Sequence, residues 1–215
     1  ELYDIETNSE VYLKGIHTLP EAPQFDSPED MYKYTYENTK ELLRDGKFLT
    51  FFGGEHSISI GPIKAHYEHF DNLTVLQIDA HADLRPSYAG TIYNHACAVY
   101  DASKNCNLVQ VGIRSMDISE KEHMDYNKVF FADEIRYGGS WADQAMEVIT
   151  DNVYITFDLD AFDPSIMPAT GTPEPGGLHW YLVSNFLQRV FEERNVVGFE
   201  NVELASIEGH KASQF

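Results

Sequence analysis

The segment Leu73–Asp83, LTVLQIDAHAD, joins a short apolar strand to three ionisable side chains. Its apolar part, Leu73–Ile78, has the length and the branched side chains of a strand buried in a parallel sheet. Similar apolar runs of four to seven residues recur along the chain, separated by stretches with helical periodicity or turn signals. This alternation is the pattern of βα units. The sequence therefore predicts an α/β protein with a three-layer α-β-α fold around a mainly parallel sheet.

Six strands and five helices follow from these patterns. The strands are expected at Phe48–Phe52, Leu73–Ile78, Leu108–Ile113, Val129–Ala132, Val153–Phe157 and Val196–Val202. The helices are expected at Pro28–Arg44, Ile58–Phe70, Ser119–Tyr126, Trp141–Thr150 and Tyr181–Arg194. Two long segments, Ala80–Lys104 and Ala161–Gly177, are predicted to be irregular, and each follows an apolar strand that ends in acidic residues. Because ligands of open α/β sheets bind beyond the carboxyl ends of the strands, we expect the functional site there.

The composition limits the classes of protein that the chain can represent. Its 215 residues suit one domain, and 43% hydrophobic with 23% charged residues is typical of globular proteins. Fifteen Lys and Arg against 35 Asp and Glu give a formal net charge of −20. This charge repels nucleic acid and anionic membranes and favours a cationic substrate or metal ions. No apolar run approaches the about 20 residues of a membrane span, so we expect a soluble, cytoplasmic protein.

Ionisable residues gather where three of the apolar strands end. GGEHS at 53–57 follows the first strand, DAHAD at 79–83 follows the second, and FDLD at 157–160 closes a third. If the chain stays extended there, residues two apart share a face, which brings Asp79, His81 and Asp83 together and likewise the two acids of FDLD. Any one of these residues alone would more often be a helix cap or a solvated loop acid. Three such groups at the ends of apolar strands predict one shared site.

A site of this composition needs a cation. Four carboxylates and two imidazoles that meet in a partly buried place repel one another unless something neutralises the acids. A carboxylate-rich set with some imidazole suits Mn²⁺ or another hard divalent ion better than zinc. Two ions that share some carboxylates can make a nucleophile from water at neutral pH. Hydrolysis is therefore the reaction class that the residues favour.

Three motifs stand in a fixed order, GGEHS at 53–57, DAHAD at 79–83 and TFDLDAFDPSIMPATGTPEPGG at 156–177. In this order and spacing they resemble those of the ureohydrolases, the family of arginases and agmatinases. The resemblance runs from about Tyr12 to the end of the chain, and it implies an arginase-like fold and two Mn²⁺ ions per subunit. It also implies the ligands of each ion, namely His56, Asp79, Asp83 and Asp158 for one and His81, Asp79, Asp158 and Asp160 for the other.

The same resemblance implies a catalytic set of His95, Asp83 and Glu203. His95, in NHAC at 94–97, matches the loop histidine that carries protons between solvent and the site, and histidine is the residue type suited to proton transfer near neutral pH. Glu203 takes the place of the carboxylate that holds the substrate guanidinium. Asp83, besides binding metal, would orient the attacking water by hydrogen bonding.

The substrate implied is a small cationic guanidino compound. Agmatine, hydrolysed to putrescine and urea in polyamine biosynthesis, is the first choice. Arginases typically carry Asn two residues after the last Asp of the DAHxD motif and Gly after the loop histidine, whereas this chain has Arg85 and Ala96. Arginine, guanidinobutyrate and guanidine stay open as alternatives, and so does a catalytically silent metal-binding relative. The resemblance further implies a homo-oligomer, a trimer or hexamer.

Residues 1–215 are expected to form a single ureohydrolase domain that lacks the family's first strand and its C-terminal helix. Cys97 and Cys106 form neither a zinc-finger spacing nor a disulfide scaffold, and Cys97 is expected to serve packing. Asp163 is expected to stabilise its loop. His210 and Lys211 are expected to support the fold or an interface.

Overall fold

All six expected strands form, and they pair side by side into one parallel sheet. The computed structural model describes residues 2–205, so His210 and Lys211 lie outside the described residues. The strands are β1 (Leu49–Phe52), β2 (Leu73–Ile78), β3 (Asn107–Val111), β4 (Val129–Phe130), β5 (Asn152–Asp158) and β6 (Asn195–Val202). Their order is β1-β6-β5-β2-β3-β4, and every neighbouring pair is parallel.

Six α-helices accompany the strands within residues 2–205. They are α1 (Pro28–Leu43), α2 (Ile60–His69), α3 (Tyr100–Asn105), α4 (Ala132–Ile135), α5 (Trp141–Val148) and α6 (Trp180–Glu193). The longest, α1, starts as its sequence indicates, because Ser27 accepts a hydrogen bond from Asp30 N and Pro28 occupies the first turn. No helix among these residues is both long and apolar enough to cross a membrane.

Some helical segments differ from the expectation. The segment predicted as the helix Ser119–Tyr126 forms a 3₁₀ helix at Ile118–His123, which begins with a capping box. A 3₁₀ turn, His56–Ser59, precedes α2, so this helix starts two residues later than predicted. The helices α3 and α4 were not predicted, and α3 begins inside a segment expected to be irregular. With six and four residues, they are too short to show a helical period.

The helices pack on both faces of the sheet, which gives the predicted three layers. On one face, Ile155 of β5 belongs to a buried cluster with Met146 of α5 and Phe186 of α6. On the other face, Tyr154 of the same strand belongs to a cluster with Ile63 of α2. Burial on both faces explains why the strands appear in the sequence as nearly continuous apolar runs.

Polarity increases toward the carboxyl end of β2 on the face covered by α2. Leu73, Val75 and Gln77 lie on this face, and Asp79 follows directly after the strand; all four are buried. The chain continues from β2 to its neighbour β3, whereas β5, on the other side of β2, continues to β6. Ligands of open α/β sheets bind in the crevice at such a switch point. The sheet therefore places Asp79 where a site is expected.

Gly198 of β6 lets two aromatic rings pack against the strand. It lies opposite Tyr154, and a Cβ at this position would come within 2.7 Å of both the Tyr154 ring and His66 Nε2. Both side chains are fully buried, so neither can move aside freely. We expect Gly198→Ala to lower the free energy of unfolding by about 1–3 kcal/mol in urea denaturation, the usual cost of overpacking. For Gly54→Ala, where a Cβ would meet open space, the change should stay within about 0.5 kcal/mol. Equal losses in the two variants would contradict the packing argument.

Candidate metal centre

His56 stands at the centre of a buried group of acids. Its Nδ1 lies 3.0 Å from Asp83 Oδ2, 3.1 Å from Asp79 Oδ2 and 3.3 Å from Asp158 Oδ2. None of the four side chains is more than 10% exposed. Ligand atoms of His56, Asp79 and Asp83 lie within 4.8 Å of one another, close enough for a single metal ion to bind all three.

A second group shares Asp79 with the first. His81 Nδ1 lies 3.0 Å from Asp160 Oδ2 and 3.7 Å from Asp79 Oδ1, and these three residues also offer ligand atoms within 4.8 Å of one another. Thr172 donates a hydrogen bond to Asp160 Oδ2 at 3.2 Å. The structure thus gathers all six of the predicted ligands into one cluster with two adjoining groups.

Turns of the backbone bring these side chains together. The strand β2 ends at Ile78, and Asp83 has a φ of 51°, in the left-handed region. The strand β5 ends at Asp158, where Leu159–Ala161 form a 3₁₀ turn and Asp160 N donates to Asp158 Oδ1 at 2.8 Å. The expectation that alternate residues meet because the chain stays extended is therefore wrong after β5, where the 3₁₀ turn brings the two acids together. After β2 the expectation holds in part, because His81 still forms a parallel bridge with Ser115 before the left-handed backbone of Asp83.

Charges within the cluster shift the pKa values of its members. Burial and the charge of Asp79 raise the pKa of Asp83 to about 7, and the same two causes hold the pKa of Asp158 well above its usual value. Burial opposes the charge of His81, but hydrogen bonds to Asp160 and Asp79 outweigh it and raise the pKa of His81 to about 11. Acids this close together favour bound positive charge, either protons or metal ions.

The residues fit a divalent metal ion. Nδ1 of His56 is buried and has no well-aligned hydrogen-bond partner among residues 2–205, although three carboxylates face it. Its other ring nitrogen, Nε2, lies 2.9 Å from Thr156 Oγ1. Metal-binding histidines have this arrangement, with one nitrogen directed at the ion and the other held by a hydrogen bond. Imidazole combined with several carboxylates is a donor set suited to Mn²⁺ and similar ions.

The cluster opens into a cavity of about 250 Å³ that is also lined by His95 and Glu203. The half-exposed His95 has its Nδ1 3.4 Å from Glu55 Oε2. Glu203 is half-buried, and its Oε1 accepts a hydrogen bond from His56 N at 2.8 Å. Its backbone has a φ of 66°, which turns the chain just after β6. The two catalytic residues predicted outside the metal cluster therefore lie at the same cavity as the cluster.

Arg114, which the sequence did not single out, holds the loop beside the cluster. Its Nη2 donates to the carbonyl oxygens of Asp160 and Glu174, both at 2.7 Å. It thereby ties the loop after β5 to the end of β3. Its partners are backbone oxygens far away in sequence, so no local motif reveals the role. Thr156 and Gln77, which contact two of the ligands, were missed because a polar residue in a strand is not unusual by itself.

Two supporting residues agree with the expectations. Asp163 accepts hydrogen bonds from Gly176 N and Gly177 N, each at 3.0 Å, and so closes the Pro-rich loop. Cys97 is buried, and burial together with the charge of Asp83 raises the pKa of its thiol to about 11. A neutral thiol suits packing, because only the thiolate is a good nucleophile.

Metal binding at this cluster should release protons. His81 is protonated at neutral pH, because its pKa lies near 11, and Asp83 gains a proton as the pH falls through about 7. An incoming cation displaces these protons, so Mn²⁺ affinity should weaken as the pH falls, by about tenfold per pH unit for each proton displaced. Calorimetric titration with Mn²⁺ at pH 6 and pH 8, in buffers of different ionisation enthalpy, measures both effects. Asp163→Asn, a change outside the cluster, should alter neither the pH dependence nor the proton release. A binding enthalpy that is the same in all buffers would contradict the displacement of protons from His81 and Asp83.

Comparison with known proteins places this site in a family. The Arginase family model matches residues 3–214. N(1)-aminopropylagmatine ureohydrolase of Thermus thermophilus is 38% identical over 198 residues, which cover 89% of this chain and 67% of that protein. Agmatinase of Photorhabdus laumondii is 34% identical over 84% of this chain and 59% of its own length. The crystal structure of agmatine ureohydrolase of Thermoplasma volcanium superposes with a TM-score of 0.87 at 29% identity, over 99% of this chain and 74% of that one. Because the family model spans nearly the whole sequence and the fold agrees with it, the chain belongs to the arginase family and is an amidinohydrolase.

Proposed function

We propose that the protein hydrolyses agmatine to putrescine and urea with two Mn²⁺ ions bound at the cluster. The observation that carries the proposal is the pair of ion-sized groups of acids and histidines that share Asp79. The names of the relatives support a guanidino substrate with an agmatine-like tail. The net charge of −20 is compatible with a cationic substrate, although such long-range attraction weakens with salt.

The six ligands divide between the two ions as the sequence motifs imply. His56, Asp79, Asp83 and Asp158 would hold one ion, and His81, Asp79, Asp158 and Asp160 would hold the other. When bound, two such ions supply an activated water as nucleophile and stabilise negative charge. The contacts of His56 with three acids support the first set. The contacts of His81 with Asp79 and Asp160 support the second.

Glu203 is proposed to hold the guanidinium group of the substrate. The hydrogen bond from His56 N fixes its carboxylate beside the cluster, and its backbone turn directs it there. A carboxylate can pair with a guanidinium through two parallel hydrogen bonds, which fixes the plane of the substrate. Asp83, on the same cavity, would accept a hydrogen bond from the attacking water and so orient it toward the guanidinium carbon.

His95 is proposed to move the proton that the leaving amine needs. It is half exposed at the cavity, so it contacts both the solvent and the space that the substrate would occupy. The neighbouring Glu55 carboxylate can orient the ring through this contact. A histidine with access to both sides suits proton transfer between them.

The surroundings of Arg85 favour agmatine over arginine. Its guanidinium stacks over the Tyr88 ring at 4.6 Å and lies 3.8 Å from Asp117 Oδ2 and 4.0 Å from Glu120 Oε2. The positive charge of Arg85 is therefore already paired with two carboxylates of the protein. This leaves Arg85 a poorer partner for the α-carboxylate of arginine. Agmatine has no carboxylate, so the pairing of Arg85 with these acids does not weaken its binding.

N(1)-aminopropylagmatine is a second candidate substrate. The observation that favours it is the 38% identity to the Thermus ureohydrolase of that name, against 34% to the Photorhabdus agmatinase. Both candidates have the same guanidino end, so the same cluster serves either. They differ only in the length and charge of the tail outside the cluster.

A substrate panel tests the proposed function. After chelation and reloading with Mn²⁺, kcat/KM for urea release should favour agmatine over arginine, 4-guanidinobutyrate and guanidine by at least about tenfold, or about 1.4 kcal/mol of transition-state stabilisation. N(1)-aminopropylagmatine belongs in the same panel, and a tenfold preference for it would replace agmatine as substrate. A preference for arginine would contradict the agmatine assignment, and full activity of the chelated protein would contradict the role of metal. No urea from any compound, with two ions bound, would identify a catalytically silent relative.

Substitutions at His95 and Glu203 should separate proton transfer from substrate binding. We expect His95→Asn to lower kcat by about 10²–10⁴-fold, typical for loss of an acid–base group. Glu203→Gln should mainly raise KM and lower kcat/KM by about 10–100-fold, because it removes a charged hydrogen-bond acceptor. Both variants should keep the Mn²⁺ content of the parent, measured by elemental analysis. The exposed His17→Asn is the control, and loss of metal in either cavity variant would refute its assigned role.

A cytoplasmic location, a homo-oligomer and a single domain over residues 1–215 stay predictions. They rest on the family resemblance together with the composition. Sedimentation analysis of the purified chain measures the subunit number directly.

A further inference from the structure

Four buried polar side chains cross the sheet in one register, just before the acidic ligands. They are Glu200 of β6, Thr156 of β5, Gln77 of β2 and Gln110 of β3, each paired with the next across neighbouring strands. All four are at most 1% exposed. Polar groups at this depth cost stability unless they are satisfied. We call these four residues the polar row and ask what they do.

One half of the polar row supports Asp79. Gln110 Nε2 donates to Gln77 Oε1 at 2.6 Å, and Gln77 Nε2 donates to Asp79 Oδ2 at 2.7 Å. A second bond, from Gln77 Nε2 to the carbonyl oxygen of His81 at 3.2 Å, holds the following turn. This half therefore orients the acid that the two groups of the cluster share.

The other half of the polar row leads to His56. His56 Nε2 lies 2.9 Å from Thr156 Oγ1, and Thr156 stands directly opposite Glu200 on the neighbouring strand. The Glu200 carboxylate accepts a hydrogen bond from the Tyr154 hydroxyl at 2.8 Å through Oε2. Its Oε1 is buried and has no hydrogen-bond partner of good geometry among residues 2–205. A buried acceptor thus lies beside the hydroxyl that contacts the histidine.

An ionised Glu200 would give these hydrogen bonds one direction. An ionised carboxylate only accepts hydrogen bonds, and a hydroxyl can donate one while accepting another. If Thr156 donates to Glu200, its oxygen must accept the Nε2–H of His56. The neutral ring then has its free lone pair on Nδ1, the atom that faces the three carboxylates. This is the form of the ring that can bind a metal ion there.

We propose that Glu200, acting through the Thr156 hydroxyl, is a positioning residue that keeps His56 in the form that binds metal through Nδ1. The proposal rests on the proposed two-metal function. Glu200 touches neither substrate nor metal, so its effect should appear first in metal affinity. If Glu200 only stabilised the fold, a buried carboxylate would not be expected at this position. An acid without a partner cation destabilises a core, and an amide of the same shape would fill the same space.

Mn²⁺ binding to Glu200→Gln and Thr156→Val tests this proposal. An amide can donate to Thr156, which lets the hydroxyl turn toward Nε2 and favours the wrong form of the ring, and valine removes the hydroxyl altogether. Each variant should weaken the binding of one Mn²⁺ ion by about 10–100-fold, the usual effect of losing such a partner. The midpoint of thermal unfolding of the metal-free protein should not fall for Glu200→Gln. Free Mn²⁺ is measured by its electron paramagnetic resonance signal.

Two further variants make the test specific. Thr156→Ser keeps the hydroxyl and should bind both ions as the parent does. Thr74→Val makes the matched substitution at the other end of β2, where Thr74 accepts hydrogen bonds from Thr150 N and Asn107 Nδ2. It should lower thermal stability and leave Mn²⁺ affinity unchanged. The double variant Glu200→Gln/Thr156→Val should be no weaker than Thr156→Val alone, because both changes interrupt one connection.

The outcomes separate this proposal from the proposed function. Parental Mn²⁺ affinity in both Glu200→Gln and Thr156→Val would overturn the positioning role while leaving the two-metal site standing. A parent protein that binds no Mn²⁺ would overturn the proposed function itself. If Glu200→Gln does not fold, the comparison of Thr156→Val with Thr156→Ser decides, and equal affinity of those two would also overturn the proposal.

Discussion

Mutual repulsion among the buried carboxylates of the cluster explains much of how the surrounding protein is built. Asp79, Asp83 and Asp158 all approach one imidazole nitrogen within 3.3 Å, and at most a tenth of each side chain is exposed. Such an arrangement is unfavourable for the isolated side chains, because burial removes the water that would otherwise separate their charges. It persists only if the rest of the protein holds the acids in place. Bound cations are attracted by the same closely spaced acids, and this attraction offsets the repulsion among them.

The sheet supplies most of that rigidity. Its inner strands are packed on both faces, and the polar row crosses four of them, β6, β5, β2 and β3, at the level just before the ligands. Loop elements complete the support, since Arg114 joins the turn after β5 to β3 through backbone oxygens. Asp83 and Glu203 also have left-handed backbones, which cost about 1–3 kcal/mol each for residues other than glycine. Strain of this size at two site residues is consistent with a site shaped for function at some expense of stability.

One cavity combines the metal-ligand cluster with His95 and Glu203, the two residues proposed to act on the substrate. The cluster lies at the carboxyl ends of β1, β2 and β5, while His95 comes from a 3₁₀ turn at His95–Cys97 and Glu203 from the end of β6. Such a division suits a family whose members, by their names, act on guanidino compounds with different tails.

Local patterns in the sequence were enough to predict the class of fold and the residues of the acidic cluster. Short apolar runs alternating with amphipathic segments require parallel strands covered by helices, and the strand limits agree to within one or two residues. The ligands were also visible, because acids and histidines directly follow apolar strands in motifs with a fixed spacing. The short helices α3 and α4 were not visible, since neither is long enough to show a period.

The way the ligands meet, and the groups that hold them, follow from contacts between distant segments. The sequence suggested an extended chain after β2 and β5. After β5 a 3₁₀ turn at Leu159–Ala161 directs the side chains instead, whereas after β2 the chain pairs once more at His81 before the left-handed backbone of Asp83. The polar row was equally hidden, because Glu200 and Thr156 are 44 residues apart or more from the histidine and from each other, and only strand pairing places them together. Sequence patterns report which side chains are buried and where strands end. Contacts between distant segments depend on strand order and register, which no local pattern encodes.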